Sequence, residues 1–360
     1  MTMTQLRYRL TFLTPAFLGN ADQVGQWRTP PIKALLRQWW RVAYMSHHSQ
    51  SSVAAMREAE GRLFGHAWLE GDRDQEGGKV AARRSQVRLR LDSWENGKLT
   101  ASAWTPAARV NHPEVPQPVP ADLYMGYGPV TPPRGQREPT LKAAAAIQAG
   151  EGASVSMALP AEEAPLVLQA FALIGQYGTA GGRSRNGWGS VHLKADDSTA
   201  ALSHSMEAPP SMYWRDALAH EWPRAVGADE SGSPLVWQTA ESFSDWKIAM
   251  RRLAEIKIDL RTHFRFPYER PDGQIHDRHW LSYPITTHRV QAWDRAGLRL
   301  PNSLRFKLRA EANGSLRGVI FHMPCMPPPA FGGDRKAVAH IWQQVHQRLA
   351  ADTRLNRIAA

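Results

Sequence analysis

The sequence predicts an α+β protein whose antiparallel sheets carry helices on one face only. Residues 5–14 and 304–309 alternate between apolar and basic or polar side chains, which is typical of strands with one buried and one open face. Helical patterns lie between the predicted strands, at 31–44, 162–177 and 243–264. Strands that are apolar on one face need helix cover on one side, which an antiparallel α+β sandwich provides.

A strand–helix–strand–strand–helix–strand unit satisfies this pattern, and we expect a ferredoxin-like (RRM-like) domain to occur twice. The 360 residues are enough for two domains. We place the N-terminal domain at 1–200, with a proline-rich insertion at 106–139, and a diverged C-terminal domain at 205–360. The stretch 198–210 is interpreted as the linker between them.

The N-terminal half begins with the strand at 5–14, and a helix begins at Pro30-Pro31 because proline suits a first helical turn. Asn96-Gly97 separates two alternating runs and predicts a hairpin between them. Nine prolines in 106–139 predict an insertion that is not a packed element. The other elements predicted here are a helix at 53–64, strands at 84–94, 99–104 and 153–159, a buried helix at 162–177 and a strand at 188–194.

The C-terminal half repeats the pattern more loosely. Asn313-Gly314 predicts a turn between the alternating run 304–309 and the run 316–323. The remaining predicted elements are a strand at 234–239, a long helix at 243–264 and a last helix at 334–349.

The composition favours a globular protein with an anionic partner. Lysine and arginine total 44 against 33 acidic residues, which gives a net charge of +11 and a pI near 10.0. A basic body suits a polyanion, most often nucleic acid. The single cysteine, Cys325, excludes a disulfide framework, and we interpret its thiol as structural. No apolar run approaches the ~20 residues that cross a bilayer and no secretory signal is present, so we expect a cytoplasmic protein without a membrane partner.

The helix at 31–44 presents a basic stripe. Lys33, Arg37 and Arg41 follow one another at every fourth position, opposite the apolar stripe. Trp40 and Tyr44 fall beside these cations on a helical wheel. Such a stripe can bind phosphates and stack bases, although a solvated face is the alternative interpretation.

A glycine-rich loop spans 178–189 and carries Arg183, Arg185 and Trp188. Glycines let backbone N–H groups approach a phosphate, and the arginines add charge. The loop leads from a helix to a strand, the reverse of a dinucleotide fingerprint, so no nucleotide cofactor is expected.

Several motifs resemble a known family. The segment Thr14 to Gly19 and the segment Trp27 to Arg41 are similar to the opening of RAMP proteins of CRISPR effectors. The closest likeness is to the Cmr-type (type III-B) subunit that caps the 3′ end of the guide RNA. Residues 63–65, 84–88 and 182–189 are similar to later landmarks of that family. Asn20, Pro31 and Ala34 depart from the family pattern, and the second half matches only in its hairpin and last helix.

The resemblance implies a non-catalytic subunit of a multi-subunit complex with two ferredoxin-like domains. The implied partners are the 3′ end of a guide RNA, a complementary target RNA and other RAMP subunits, with no cofactor and no metal. By position in the motifs, the implied RNA-binding residues are Arg28, Lys33, Arg37, Arg41, Gly182, Arg183, Arg185, Gly187 and Gly189. The helix and loop patterns and the landmark at 84–88 add Trp40, Tyr44, Arg84, Arg88 and Trp188. We expect the Lys33/Arg37/Arg41 stripe and the loop arginines to lie side by side.

Two other functions stay open at this point. A metal-independent endoribonuclease that matures guide RNA would use His47 or His48 as a general base. A scaffold would use its basic surface to meet acidic partner subunits. His276 and His279 give an HxxH pattern, but the further ligands of a metal phosphohydrolase are not found, so no metal is expected.

Overall fold

The computed structural model describes residues 2–67, 69–74, 76–132, 135, 138–202, 210–267 and 272–358. The chain divides into two compact units. Unit 1 comprises Met1–Thr100, Ala143–Gly182 and Gly189–Pro210, and unit 2 comprises Ala101–Lys142, Arg183–Trp188 and Ser211–Ala360. Most of the predicted insertion and the tip of the glycine-rich loop therefore group with unit 2, although both lie within the stretch predicted as the N-terminal domain.

The secondary structure alternates along the chain. The strands are β1 Met3–Phe12, β2 Arg88–Leu91, β3 Leu99–Thr100, β4 Arg109–Val110, β5 Val119–Pro120, β6 Val130–Thr131, β7 Thr140–Leu141, β8 Ala145–Ala146, β9 Gly152–Pro160, β10 Val191–Ala195, β11 Ser211–Tyr213, β12 Val226–Ala228, β13 Val236–Thr239, β14 Leu304–Ala310, β15 Leu316–His322 and β16 Leu355–Arg357. The α-helices are α1 Thr29–His47, α2 Val53–Phe64, α3 Ala121–Gly126, α4 Ala164–Tyr177, α5 Asp197–Leu202, α6 Trp214–Ala217, α7 Trp246–His263, α8 Gln291–Arg295 and α9 Arg335–Ala351. Short 3₁₀ helices cover Ala161–Glu163, Asp277–Trp280 and Pro329–Phe331.

The main sheet of unit 1 has four antiparallel strands in the order β10-β1-β9-β2. Along the chain these strands and α1 and α4 follow one another as strand, helix, strand, strand, helix, strand. The helices cover one face, where Leu6, Leu10 and Phe12 of β1 are buried and Tyr8 stacks on Phe171 of α4 with ring centroids 4.3 Å apart. Apolar burial on this face holds the sheet against the helices.

The main sheet of unit 2 has the same order of elements. Its strands run β14-β15-β13-β16, all antiparallel, and α7 and α9 provide the two helical crossings. Trp237, Phe306 and Ile320 are buried in the sheet, and α7 packs on β14 and β15. If the four strands of each sheet are numbered by their order along the chain, both sheets have the spatial order 4-1-3-2 from one edge to the other.

The hairpin predicted at Asn96-Gly97 is wrong. β3 pairs with β8, and β2 pairs with β9, so the two runs flanking the dipeptide do not pair with each other. Gly97 instead donates its N–H to the carbonyl oxygen of Gly25 at 2.8 Å. A Cβ at position 97 would overlap the Ala146 carbonyl, so glycine serves a close backbone approach here rather than a two-residue turn.

Much of the insertion at 106–139 is packed, contrary to the prediction. Strands β4 and β5 pair, and Ala121 and Met125 of α3 are completely buried. Asp122 accepts a hydrogen bond from the Ala107 N–H at 2.9 Å, which ties α3 to the chain before it. Residues 133, 134, 136 and 137 of this stretch lie outside the described residues.

The predicted linker 198–210 is partly helical. Helix α5 covers Asp197–Leu202 and buries Thr199, whose hydroxyl accepts the Arg7 N–H at 2.7 Å, while 203–209 lie outside the described residues. Within the part of the chain that the structure describes, none of the helices has the length and apolar character to cross a membrane.

The open basic face predicted for 304–309 is also wrong. Arg305 and Lys307 are buried, as are Leu304, Phe306 and Leu308, so both faces of β14 are covered. Apolar and basic side chains do alternate along β14, but segments outside the sheet pack over the face that carries the basic side chains. Trp280 and Pro301, for example, line a cavity together with Arg305.

Candidate nucleic-acid interface

The uncovered face of the unit 1 sheet is basic. Along β1 the buried residues alternate with exposed ones, and the same alternation on β2 and β10 places further cations on that face. The exposed cations of this face are Arg7 and Arg9 of β1, Arg88 and Arg90 of β2, and Lys194 of β10. We call these five residues the sheet cations.

The strand register brings the sheet cations together. Arg9 lies directly opposite Lys194 on one side and Ser154 on the other. Ser156 separates Arg7 from Arg90 in the neighbouring row. Like charges directly opposite each other in a sheet are destabilising. An anion bound across this face would therefore reduce the repulsion between these cations.

One carboxylate reaches this cluster among the ion pairs of the described residues. Asp92 lies 3.6 Å from the Arg9 Nη1, and both side chains are about half exposed. Exposed pairs of this kind contribute about 0–1 kcal/mol. The face therefore keeps an excess of positive charge where a phosphate backbone can reach it.

The predicted basic stripe of α1 forms, but its two arginines share a carboxylate. Glu60 of α2, 3% exposed, accepts hydrogen bonds from Arg37 Nε at 2.7 Å and from Arg41 Nε and Nη2 at 2.9 and 2.8 Å. Lys33 Nζ donates to the Phe64 carbonyl and to Ser85 Oγ, both at 3.0 Å. Burial lowers the pKa of Lys33, and Arg37 lowers it further.

Trp40 is a core residue, so its predicted stacking role is wrong. Its side chain is 1% exposed and packs edge-on against Phe64 of α2 with ring centroids 5.7 Å apart. Tyr44 stacks on Trp40 at 5.0 Å and is half-buried. A helical wheel shows one apolar stripe of α1, whereas α2 packs on the side that carries Trp40 and buries it as well.

The remaining cations predicted in unit 1 differ in exposure. Arg28 precedes α1 as its N-cap, is half-buried, and its Nε is buried without a hydrogen-bond partner among the described residues. Arg84 and Arg88 are exposed. Arg88 belongs to the sheet cations, and Arg84 lies in the chain leading into β2.

The glycines of the loop do not present their amides to solvent as predicted. The N–H groups of Gly182 and Gly189 donate to the carbonyls of Phe17 and Pro15 at 3.0 and 2.9 Å within unit 1. The N–H of Gly187 donates to the Ser184 carbonyl at 3.1 Å. Gly187 and Gly189 are buried with φ of +89° and +62°, so these glycines are required by the backbone path rather than by a phosphate.

The loop arginines belong to unit 2 and have different surroundings. Arg183 is exposed, has a φ of +56°, and donates from Nε to the Tyr127 carbonyl at 2.5 Å. Arg185 is half-buried and donates from Nη1 to the Asn302 carbonyl at 3.2 Å, and burial lowers its pKa. Between them, the Asn186 side chain accepts a hydrogen bond from Lys257 at 2.8 Å. Arg183 is therefore the loop cation best placed to meet a ligand in solution.

Trp188 is completely buried, so the prediction that it contacts RNA is wrong. It packs against Trp104 and Trp246 with ring centroids 6.1 and 5.7 Å apart. A Cβ on Gly126 would lie 3.0 Å from the Trp188 ring. This cluster fixes the end of the loop to α3 and α7.

Unit 2 contains a large basic cleft that sequence reasoning missed. Its volume is about 1270 Å³, and Arg261, Arg265 and Arg278 line it together with Phe266 and a carboxylate residue, Glu114. Arg278 pairs with Glu114 at 2.5 Å and lies over the Phe266 ring at 5.3 Å. These residues come from stretches far apart in the chain, so no local sequence motif predicts the cleft.

Three of the histidines singled out in the sequence, one as a general base and two as metal ligands, have hydrogen-bond partners. His47 is exposed at the end of α1, and its Nε2 lies 3.0 Å from Gln169 Oε1. His276 contacts Asp272 at 2.8 Å, and His279 contacts the His288 carbonyl at 2.8 Å. Among the described residues, no three His, Cys, Asp or Glu side chains form a group that could hold a metal ion.

No protein-family model and no curated protein matches this sequence. Among solved structures, the chain is similar to Cmr1 from Pyrococcus furiosus in its apo form, with 14% identity, a TM-score of 0.44, and coverage of 96% of this chain and 97% of that chain. It is also similar to a chain of type III-B Cmr-beta bound to cognate target RNA, with 10% identity, a TM-score of 0.45, and coverage of 96% and 99%. A third similar structure is type III-B Cmr-beta bound to cognate target RNA and AMPPnP in the presence of ssDNA. Its chain has 11% identity and a TM-score of 0.42, and the match covers 95% of this chain and 98% of that chain.

Proposed function

We propose that this chain is a non-catalytic, RNA-binding RAMP subunit of a type III-B CRISPR effector complex. It holds the 3′ region of the guide RNA and the end of the guide–target RNA duplex, and it contacts other RAMP subunits. The motifs at 14–19, 27–41 and 182–189 support the class of protein. The strand–helix–strand–strand–helix–strand order in both units supports two ferredoxin-like domains.

The observation that carries RNA binding is the uncovered face of the unit 1 sheet. Four of its five cations are arginines, whose planar forks match phosphate oxygens and can stack on bases. Ser154 and Ser156 lie between them on β9 and add hydroxyl donors for phosphate or ribose oxygens. An open antiparallel sheet of this kind offers a flat surface to an unpaired strand.

The other exposed or half-buried cations extend the proposed contacts. Arg37 and Arg41 keep 31% and 40% of their side chains exposed despite Glu60, so they remain within reach of a phosphate. The residues that stay proposed from the sequence are Arg28, Lys33, Arg37, Arg41, Tyr44, Arg84, Arg88, Arg183 and Arg185. The proposal assigns them to binding and positioning only.

Fluorescence anisotropy with a labelled single-stranded RNA tests the proposal. The double variant Arg7→Gln/Arg90→Gln removes two sheet cations that flank Ser156. We expect its affinity to fall at least tenfold near 0.1 M salt. We also expect the slope of log K against log salt to shrink by about 0.7 for each phosphate that the variant no longer neutralises.

The double variant Arg57→Gln/Lys79→Gln is the matched control. It removes the same charge from exposed positions of unit 1 outside the sheet. A general loss of positive charge would weaken both variants equally, and this outcome would remove the sheet face from the RNA site. A circular-dichroism melt of each variant shows that both are folded.

A further inference from the structure

Two arginines meet in a small cavity of unit 2. The cavity has a volume of about 200 Å³ and is lined by Arg185 of the glycine-rich loop and Arg305 of β14, among other residues. Arg305 is 7% exposed, and its Nε is buried without a hydrogen-bond partner among the described residues. Burial, together with the positive charge of Arg185, lowers the pKa of Arg305 to about 9. Two arginine side chains of like charge therefore line one poorly solvated cavity.

The surroundings do not supply a counterion. Within the described ranges, no ion pair joins Arg185 or Arg305 to a carboxylate. Among the described residues that line the cavity, Glu221 is the one carboxylate, and it is exposed. The Cys325 thiol also lines the cavity, but burial raises its pKa, so it remains a neutral thiol at pH 7. A buried charge without a partner is costly, because the interior does not replace its hydration. An anion between the two arginines would remove that cost.

A chain of hydrogen bonds ends in the same cavity. Ser303 lines it, and its Oγ lies 3.0 Å from His322 Nε2. His322 Nδ1 in turn lies 2.9 Å from His346 Nε2. If His346 donates to His322 and His322 donates to Ser303, the serine hydroxyl is oriented by two buried rings and donates into the cavity.

We propose that Arg185, Arg305 and Ser303 form a binding site for a single phosphate group. Two guanidinium forks and one hydroxyl match the oxygens of a phosphate monoester, which accepts several charge-assisted hydrogen bonds at once. The cavity is walled by Trp280 and Trp342 and is large enough to admit a phosphate group. The source is either free inorganic phosphate or a phosphate at the end of an RNA strand.

Isothermal titration calorimetry and thermal melts of the full chain with inorganic phosphate test the site. We expect phosphate to raise the melting temperature above that in sodium chloride of equal ionic strength. Arg305→Met should bind phosphate at least tenfold more weakly and lose this response. The same variant should melt no lower than the unmodified chain in phosphate-free buffer, since it removes an unpaired buried charge.

Arg348→Met is the control, because Arg348 is exposed on α9 and does not line the cavity. It should keep the full phosphate response. The proposal is overturned if phosphate acts no differently from chloride, or if Arg305→Met responds to phosphate as the unmodified chain does. Arg185→Met repeats the test should Arg305→Met not fold.

The source of the phosphate is read from RNA oligonucleotides that differ only in a terminal phosphate. Tighter binding of the phosphorylated strand, abolished in Arg305→Met, identifies an RNA end. Equal binding of the two strands, together with a response to inorganic phosphate, identifies the free anion. Because inorganic phosphate is the primary probe, these experiments test the phosphate site independently of RNA binding at the sheet cations.

Discussion

Arg41 contacts Glu60 through two nitrogens, with Nε at 2.9 Å and Nη2 at 2.8 Å, although the two residues lie on different helices. The Glu60 carboxylate is buried and also accepts a hydrogen bond from Arg37. A carboxylate in this position neutralises part of the basic stripe and joins α1 to α2. The stripe is thus a structural feature as well as a candidate surface for RNA.

Glu60→Gln should lower the free energy of unfolding by about 1–3 kcal/mol, because it removes charge-assisted hydrogen bonds to a buried carboxylate. Urea denaturation measures the change. Glu58→Gln on the same helix is the control, since the Glu58 side chain is 40% exposed and its pair with Arg62 is 3.7 Å long. We expect the control to stay within about 0.5 kcal/mol of the unmodified chain. Equal effects of the two substitutions would contradict the structural role of Glu60.

Trp40→Phe should destabilise unit 1 by about 1–3 kcal/mol, because the smaller ring leaves a cavity between α1 and α2. It should leave the RNA affinity of the folded chain unchanged, since Trp40 does not reach the surface. Trp94→Phe serves for comparison, because Trp94 is 54% exposed. Thermal melts and anisotropy give the two readouts. A drop in RNA affinity in folded Trp40→Phe would restore the stacking role that the sequence predicted.

Gly189→Ala should destabilise the chain by more than about 2 kcal/mol. The residue has a φ of +62°, and a Cβ would overlap the Ala180 carbonyl. Gly175→Ala is a matched control within α4, where a Cβ meets nothing within 4 Å. Alanine favours a helix by about 0.8–1 kcal/mol over glycine, so the control should be stabilised. Two similar unfolding midpoints would show that the loop tolerates a side chain.

The stability of unit 2 should fall as the pH decreases from about 6.5 toward 4. Burial lowers the pKa of His346 to about 3 and holds the pKa of His322 well below its usual value, with Arg357 and Arg305 as further causes. In the unfolded chain both histidines take up protons near pH 6.5, so the unfolded state binds more protons in this window. Their contribution is complete above about pH 6.5 and disappears as the pH falls toward the folded pKa.

The expected slope is up to about 1.4 kcal/mol per pH unit for each histidine, measured by urea denaturation at several pH values. His346→Gln should reduce this slope, whereas His340→Gln, exposed on the same helix, should not. The slope is compared rather than the stability at one pH, because His346→Gln also alters packing. A slope that His346→Gln leaves unchanged would contradict the assignment.

The sequence predicted the local elements well because their signals are local. The helix at 53–64 has those bounds in the structure, and the alternation of β1 and the hairpin at Asn313-Gly314 are also confirmed. Amphipathic spacing and turn residues are sufficient for such elements. On β1 the alternation already separated Arg7 and Arg9 from the buried side chains.

The errors concern features that depend on distant parts of the chain. Trp40 is buried by a second helix, and Arg305 is covered by segments that lie outside its sheet. Lys194 joins Arg9 only through the pairing of β10 with β1, which no local pattern specifies. The burial of Glu60 could not be predicted either, since a helical pattern does not show which partner a carboxylate will meet.

Salt-dependent RNA binding of Arg7→Gln/Arg90→Gln is the decisive measurement, because the sheet cations are proposed to hold an RNA strand through its phosphates. We expect the RNA affinity of this variant to be at least tenfold lower than that of the Arg57→Gln/Lys79→Gln control, with a smaller dependence on salt. The same affinity and the same salt slope for both double variants would contradict it.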